Sequence, residues 1–257
     1  MQYKIIDHIV LAFLVAFVSL LLLFYTISPL VGSILYFALP SAYLILRKPE
    51  IFKRAIVPAL IFGLLFGIGF EYLNEVGGSW IFPLESSFVF PSFFFGIVPL
   101  DVIVWYVLWV FMIVCYYEYL IYRPSMPTLV SRRIYKLLAV SFAALGVIAI
   151  AEYGLRTSIV IPYAYTITGL TALIPVYMLY KRKPDVFPRL THTIPFLALF
   201  FLVMEAVALS IGYWEFVGGS ILTFTIAGHL VPIEEILLWI IASPLVISSY
   251  HELVLGE

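Results

Sequence analysis

Glu71 and Glu205 interrupt apolar stretches, and each is followed nine residues later by a tryptophan and two further on by a phenylalanine: Trp80 and Phe82, then Trp214 and Phe216. Three more acids follow a proline closely: Asp101 after Pro99, and Glu234 and Glu235 after Pro232. An ionised carboxylate in mid-membrane costs roughly 2.5–3.5 kcal/mol on insertion scales, so acids in such surroundings are functional candidates by default. Burial among Phe, Leu and Ile favours the protonated carboxyl, and two carboxyls sharing a site cannot both ionise. The pair that results is a proton donor beside a proton acceptor, fit for acid–base chemistry on an apolar substrate. Trp80, Trp214, Trp105 and Trp239 add ring faces able to stabilise a cation in a dry site. Trp105 lies four residues after Asp101 and Trp239 four after Glu235, so each shares a helix face with its acid.

Plainer roles compete. Asp101 and Glu234 sit in an early helix turn, where a carboxylate satisfies orphan N–H groups and the positive dipole end. Glu234 and Glu235 lie about 100° apart on an ideal helix, so only one of them should face a shared cavity. Any single tryptophan is more simply packing or lipid-facing bulk. Glu75 and Glu85 read as loop residues in water, Glu152 as the end of a helix and Glu215 as solvated. Glu118 and His251 read as interfacial, and Glu252 as replaceable by Gln without loss.

The acids recur with their neighbours. Glu71, Trp80 and Phe82 reappear as Glu205, Trp214 and Phe216, 134 residues on. Pro99, Asp101, Tyr117 and Leu120 reappear as Pro232, Glu234, Tyr250 and Leu253, 133 residues on. A tandem duplication is expected, with halves at 1–125 and 126–257 forming one membrane domain.

The elements that must position these residues are membrane helices. The chain is 64% hydrophobic and 11% charged, against roughly a quarter charged in a soluble domain, so lipid is its solvent. A net charge of −1 argues against a nucleic-acid partner. Cys115, the single cysteine, cannot form an internal disulfide. Apolar stretches fall at approximately 5–26, 29–46, 55–74, 99–121, 134–153, 159–180, 193–211 and 231–253, each near the ~20 residues that cross a bilayer. The first reads as a retained helix, not a signal peptide. Loops after even-numbered spans are basic (Arg47, Lys48, Lys53, Arg54; Arg123, Arg132, Arg133; Lys181, Arg182, Lys183, Arg189), whereas loops after odd-numbered spans hold only Arg156. With Lys4 and Lys136, thirteen of fourteen basic residues fall on one side, which predicts cytoplasmic termini in a multi-pass cell-membrane protein. The expected fold is all-α, about eight transmembrane helices as two tandem four-helix repeats in parallel orientation, related by a pseudo-twofold along the membrane normal. Segments 75–98 and 212–230 on the outer side lack Lys and Arg and are rich in Phe, Trp, Gly and Ser. They suit either an aromatic belt or a lid over a cavity.

Several chemistries lack their motifs. Gly63, Gly67 and Gly69 lie inside a span and form no dinucleotide fingerprint. The aspartates Asp7, Asp101 and Asp185 make no diphosphate–metal motif, and His8, His192, His229 and His251 have no metal-ligand spacing. No G-x-S-x-G elbow occurs, and the last helix has no lysine for a retinal Schiff base. What is left is metal-free, cofactor-free, redox-neutral acid–base chemistry, or no chemistry at all.

The segment Trp214-Glu215-Phe216, then Gly228 and Pro232-Ile233-Glu234-Glu235 ahead of an apolar helix ending Tyr250-His251-Glu252-Leu253, resembles the membrane-integral lycopene cyclase domain, in its tandem fused form. Best-matching stretches are about 70–121 and 204–253. The resemblance implies cyclisation of the ends of linear lycopene to β-ionone rings without flavin, and implicates the P-x-E-E acids. It also implies lycopene, membrane lipid and other carotenoid-pathway enzymes as partners. The first copy departs, reading Pro99-Leu100-Asp101-Val102 with no second acid, which makes unequal duty between halves the expectation. The expected catalytic set is Glu234, Glu235, Glu205, Glu71 and Asp101, with Trp80, Phe82, Trp214, Phe216, Trp105 and Trp239 around the substrate. Alternatives are a carotenoid end-group hydratase and a non-enzymatic membrane transporter or lipid-binding protein.

Overall fold

The computed structural model describes residues 2–83, 88–91, 93–121, 132–226 and 228–255. Glu85, Arg123 and the boundary expected at 125/126 lie outside them. Seven helices are long and apolar enough to cross a membrane: α1 (Gln2–Phe24), α2 (Pro29–Arg47), α3 (Ile51–Val76), α4 (Leu100–Ile121), α5 (Arg133–Leu155), α7 (Phe187–Ser210) and α8 (Ile233–Leu255). An eighth, α6 (Ala164–Arg182), carries threonines and an internal proline and is less apolar. It nevertheless runs beside α8 from end to end, since Thr166 bonds Glu234 in the first turn of α8 and Arg182 bonds Glu252 in its last. Sixteen residues of helix cover about 24 Å, so α6 traverses the same depth as α8.

The outward faces are apolar because lipid takes the place of water. Ile9, Phe13 and Phe17 on α1 and Tyr135, Phe142 and Val147 on α5 are all more than half exposed or close to it. α4 and α8 are the central helices, with 56% and 61% of their spans buried, against 22% for α5. α3 and α4 cross at close range. A Cβ on Gly63 would lie 2.4 Å from the Val107 Cα, and one on Gly67 would lie 3.1 Å from the Tyr106 ring. These two glycines, four residues apart, let the helix backbones approach as small residues do in membranes. They also bring Tyr106 against the wall of α3 that carries Glu71. Further down the chain from Pro58, α3 widens into π turns over Ala59–Phe66 and tightens again over Gly67–Val76, the segment bearing Glu71.

The segments that join α3 to α4 and α7 to α8 depart from an all-helical reading. Strand β1 (Trp80–Ile81) pairs antiparallel with β2 (Glu215–Phe216), Trp80 opposite Phe216 and Ile81 opposite Glu215. Strands β3 (Thr223–Ile226) and β4 (His229–Pro232) form a hairpin that feeds directly into α8, and Ile221, Leu222, Phe224 and Leu230 on or beside it are exposed.

The opposite ends of the helices are tied by ion pairs. Arg47 meets Asp7 at 3.5 Å, Arg54 meets Glu118 at 3.0 Å, and Arg133 and Arg182 meet Glu252 at 2.8 and 2.6 Å. These contacts join the start of α1 to the end of α2, the start of α3 to the end of α4, and the start of α5 and end of α6 to the end of α8. The basic ends therefore gather on one side, as the charge alternation requires.

Candidate functional site

The last turns of α3 put Glu71 into the interior, 1% exposed. The chain then turns at Gly78, in the left-handed region (φ +69°), and β1 brings Trp80 back over the same helix. Its indole N–H donates to Glu71 Oε1 at 2.8 Å, and Tyr106 of α4 donates its hydroxyl to Oε2 at 2.8 Å. Both oxygens of Glu71 are engaged, both by neutral groups.

Glu205 on α7, 2% exposed, is met in the same way, by the Trp214 indole N–H at 2.7 Å. Glu235 on α8 accepts from the Trp239 indole N–H at 2.9 Å, one turn along its own helix, and from the Tyr165 hydroxyl on α6. Glu205 and Glu235 lie within electrostatic reach of each other, and Tyr106 senses all three glutamates. Tyr163, with φ +56°, holds a left-handed conformation that is an outlier for a bulky side chain and starts α6 so that Tyr165 and Thr166 turn toward the acids.

Glu234 points elsewhere, as the 100° separation predicts. It accepts from the Thr166 hydroxyl and from the Ile221 N–H at 3.1 Å, while its second oxygen is buried without a partner. Asp101 holds loop backbone, accepting from the N–H groups of Val89 and Phe90, both at 2.9 Å. The two proline-led acids therefore do similar work, anchoring the preceding segments to the first turns of α4 and α8.

Aromatic rings enclose the three glutamates. Trp80 lies edge-on to Tyr165 at 5.2 Å and meets Phe216 at 6.4 Å. Trp105 stacks on Trp109 at 5.7 Å and meets Trp214 edge-on at 6.3 Å, with its own indole N–H buried and unpartnered. Trp105 and Met204 form the shared wall of two narrow clefts, one running between α2 and α7 to Trp214 and Tyr213, the other reaching Glu235 and Trp239. Trp80 and Phe216 are 7% and 8% exposed, so they pack inside the protein and are not belt residues at a lipid boundary. Phe82 packs on Phe88 at 5.1 Å.

Sequence reasoning missed Tyr106, Tyr165 and Thr166. Eighteen tyrosines in a membrane chain read first as interfacial anchors, and only the fold shows which hydroxyls turn inward. Other expectations change at the basic end. Glu118 and His251 are fully buried, and Glu252 is 3% exposed between two arginines. Glu118 accepts from Tyr250 at 2.7 Å and His251 bonds Tyr117 at 2.8 Å, so both are packed between helices at the basic end. Glu152 accepts from Tyr72 at 2.5 Å, holding the end of α5 to α3. Glu215 is exposed, as expected. No family model, curated protein or solved structure matches the chain.

Proposed function

We propose that the chain is a tandem duplication acting as a proton-initiated, redox-neutral cyclase on the ends of a linear carotenoid, with lycopene as its substrate. Two crossed pairings support the duplication. Trp80 opposite Phe216 is a pairing that a shift between halves converts to Trp214 opposite Phe82, in the same antiparallel register. At the other end of the helices Tyr117 bonds His251 and Tyr250 bonds Glu118, where Tyr117 corresponds to Tyr250 and Glu118 to His251. Self-complementary contacts of this kind are the mark of a twofold axis. Having one set at each end of the helices supports an axis along the membrane normal, and so two repeats inserted the same way up. The gathered basic ends support cytoplasmic termini in a cell-membrane protein.

The observation that carries the chemistry is that Glu71, Glu205 and Glu235 share one aromatic enclosure in which every hydrogen-bond partner is neutral. Without a counter-cation, three carboxyls in such a place cannot all be ionised. A carboxylic acid and a carboxylate then stand side by side. The acid delivers its proton to the terminal C=C of the polyene, the tertiary cation is attacked by the next double bond, and a carboxylate removes the ring proton. Trp105, Trp214 and Trp239 line the clefts and offer faces to the cation. Water would capture that cation as an alcohol, and the apolar walls keep it out. Each cleft is tight, with room for about one water, so entry of an end group requires Trp105 or Met204 to swing aside.

Expression in a lycopene-producing host, with the pigments separated by chromatography, tests the reading. Ring-bearing carotenes are expected. Hydroxylated linear products would make the protein a hydratase, and unchanged lycopene beside inserted, folded protein would remove the enzymatic reading.

A further inference from the structure

The three enclosed glutamates are not equivalent as hydrogen-bond acceptors. An indole N–H only donates, so the oxygen it meets on each residue is held as an acceptor: Glu71 Oε1 by Trp80, Glu205 Oε1 by Trp214 and Glu235 Oε1 by Trp239. The second oxygen separates them. On Glu71 it is taken by the Tyr106 hydroxyl and on Glu235 by the Tyr165 hydroxyl. On Glu205, among the described residues, Trp214 is the one hydrogen-bond partner. A carboxylate that accepts at both oxygens is stabilised as an anion, whereas an oxygen without a donor is where a proton can sit and point at a substrate. Glu205 also follows Met204, whose side chain forms the wall between the two clefts.

We propose that Glu205 carries the proton that starts the reaction and that Glu235, held by Tyr165 and Trp239, receives the ring proton; this assignment rests on the cyclase reading. The steps balance without an oxidant or reductant. The Glu205 O–H bond breaks as a C–H bond forms at the inner, hydrogen-bearing carbon of the terminal alkene, leaving a tertiary cation on its dimethyl carbon. The next double bond supplies its electron pair to close the ring, and the cation moves onto that bond's far carbon. The adjacent ring C–H then breaks, its electrons forming the new C=C and its proton passing to the Glu235 carboxylate. One proton has moved from Glu205 to Glu235, and its return between these neighbours restores the site. Tyr165 and Trp239 are positioning residues, and Glu71, with Tyr106 and Trp80, is a standing negative charge facing the cation.

Infrared spectroscopy of the purified protein, free of substrate, reads the proton directly. The carbonyl stretch of a protonated, buried carboxylic acid should be present in the wild type, shift in heavy water, vanish in Glu205→Gln and persist in Glu71→Gln. In parallel, Glu205→Gln should lower ring formation by about 10²–10⁴-fold, and Tyr165→Phe by about ten- to a hundredfold through loss of a charge-assisted hydrogen bond, with the infrared band kept. The glutamine amide oxygen can still accept from Trp214, and an unchanged melting midpoint confirms that the variant folds. A band that survives Glu205→Gln, or that disappears in Glu71→Gln, overturns the assignment. Ring products from Glu205→Gln at the wild-type rate also overturn it while leaving the cyclase reading standing, whereas lycopene left linear by the wild type overturns both.

Discussion

Buried carboxylates lie at both ends of this helix bundle, and the two ends neutralise them differently. On the basic side Asp7, Glu118 and Glu252 each face one or two arginines, with tyrosines as secondary donors to Asp7 and Glu118. On the other side Glu71, Glu205, Glu234, Glu235 and Asp101 are met only by indoles, hydroxyls and backbone N–H groups among the described residues. An arginine fixes its partner as an anion and makes the pair a strut: removing one member strands the other charge. A neutral donor leaves the acid able to gain or lose a proton without stranding anything. The first arrangement holds helix ends together. The second is suited to moving protons.

The comparison can be broken first by topology, where the outcome is all or none. With Cys115 buried, Glu215→Cys, an exposed position on the side opposite the basic ends, should react with a membrane-impermeant thiol reagent added to intact cells. Asp185→Cys, exposed between α6 and α7, should react only after the cells are opened. Labelling of Asp185→Cys from outside would put both sets of acids on the wrong sides.

The next largest effect is expected at Glu118. Glu118→Gln leaves Arg54, with 21% of its side chain exposed, facing an uncharged partner. A loss of about 3 kcal/mol is expected, the low end for breaking a buried pair, seen as a lower unfolding midpoint in detergent. The same change at Glu71 strands no cation, because glutamine can accept from Trp80 and donate to the Tyr106 oxygen. Its unfolding midpoint should stay near the wild-type value, and equal destabilisation at the two positions would erase the distinction.

Gly63→Ala tests how the neutral-donor side is built. The added methyl meets backbone at 2.4 Å, so α3 and α4 must part, at a penalty of about 1–3 kcal/mol. Tyr106 should move off Glu71 with it, and ring formation should fall together with stability.

Glu252→Gln is expected to cost less stability than Glu118→Gln. Read from sequence it is neutral, but two arginines converge on this residue. Both arginine side chains are nearly half exposed, at 49% and 47%, and water can take over part of the partnership. A loss of about 1.5–2 kcal/mol, the low end for hydrogen bonds to charged groups, is expected with turnover unchanged.

What could be read without the fold follows from rarity. In a chain with 11% charged residues, acids, tryptophans and prolines at a common offset stand out, and so the helices, the pairing of Glu71 with Glu205 and the neighbouring tryptophans were all accessible. Tyr106 and Tyr165 were not, because a tyrosine in an apolar helix carries no mark of which way it faces. The arginine partners of Glu118 and Glu252 come from helices 64, 70 and 119 residues away in sequence, beyond any periodicity. Two signals were in plain view: Gly63 and Gly67 at the spacing of a close helix crossing, and the Tyr117-Glu118 and Tyr250-His251 pairs, which read as helix ends until their hydrogen bonds are seen to cross. The β3–β4 hairpin hid in a segment whose phenylalanines and glycines suit a belt equally well.

The central claim is that the acids with neutral partners carry out proton chemistry on a carotenoid end, and the most direct measurement is the pigment profile of the Glu234→Gln/Glu235→Gln double variant beside the wild type. Both should be expressed at matched membrane levels in a lycopene-producing host. Ring-bearing carotenes from the wild type and linear lycopene from the double variant, with both proteins folded, are the predicted result. Equal ring formation by the two would contradict the account.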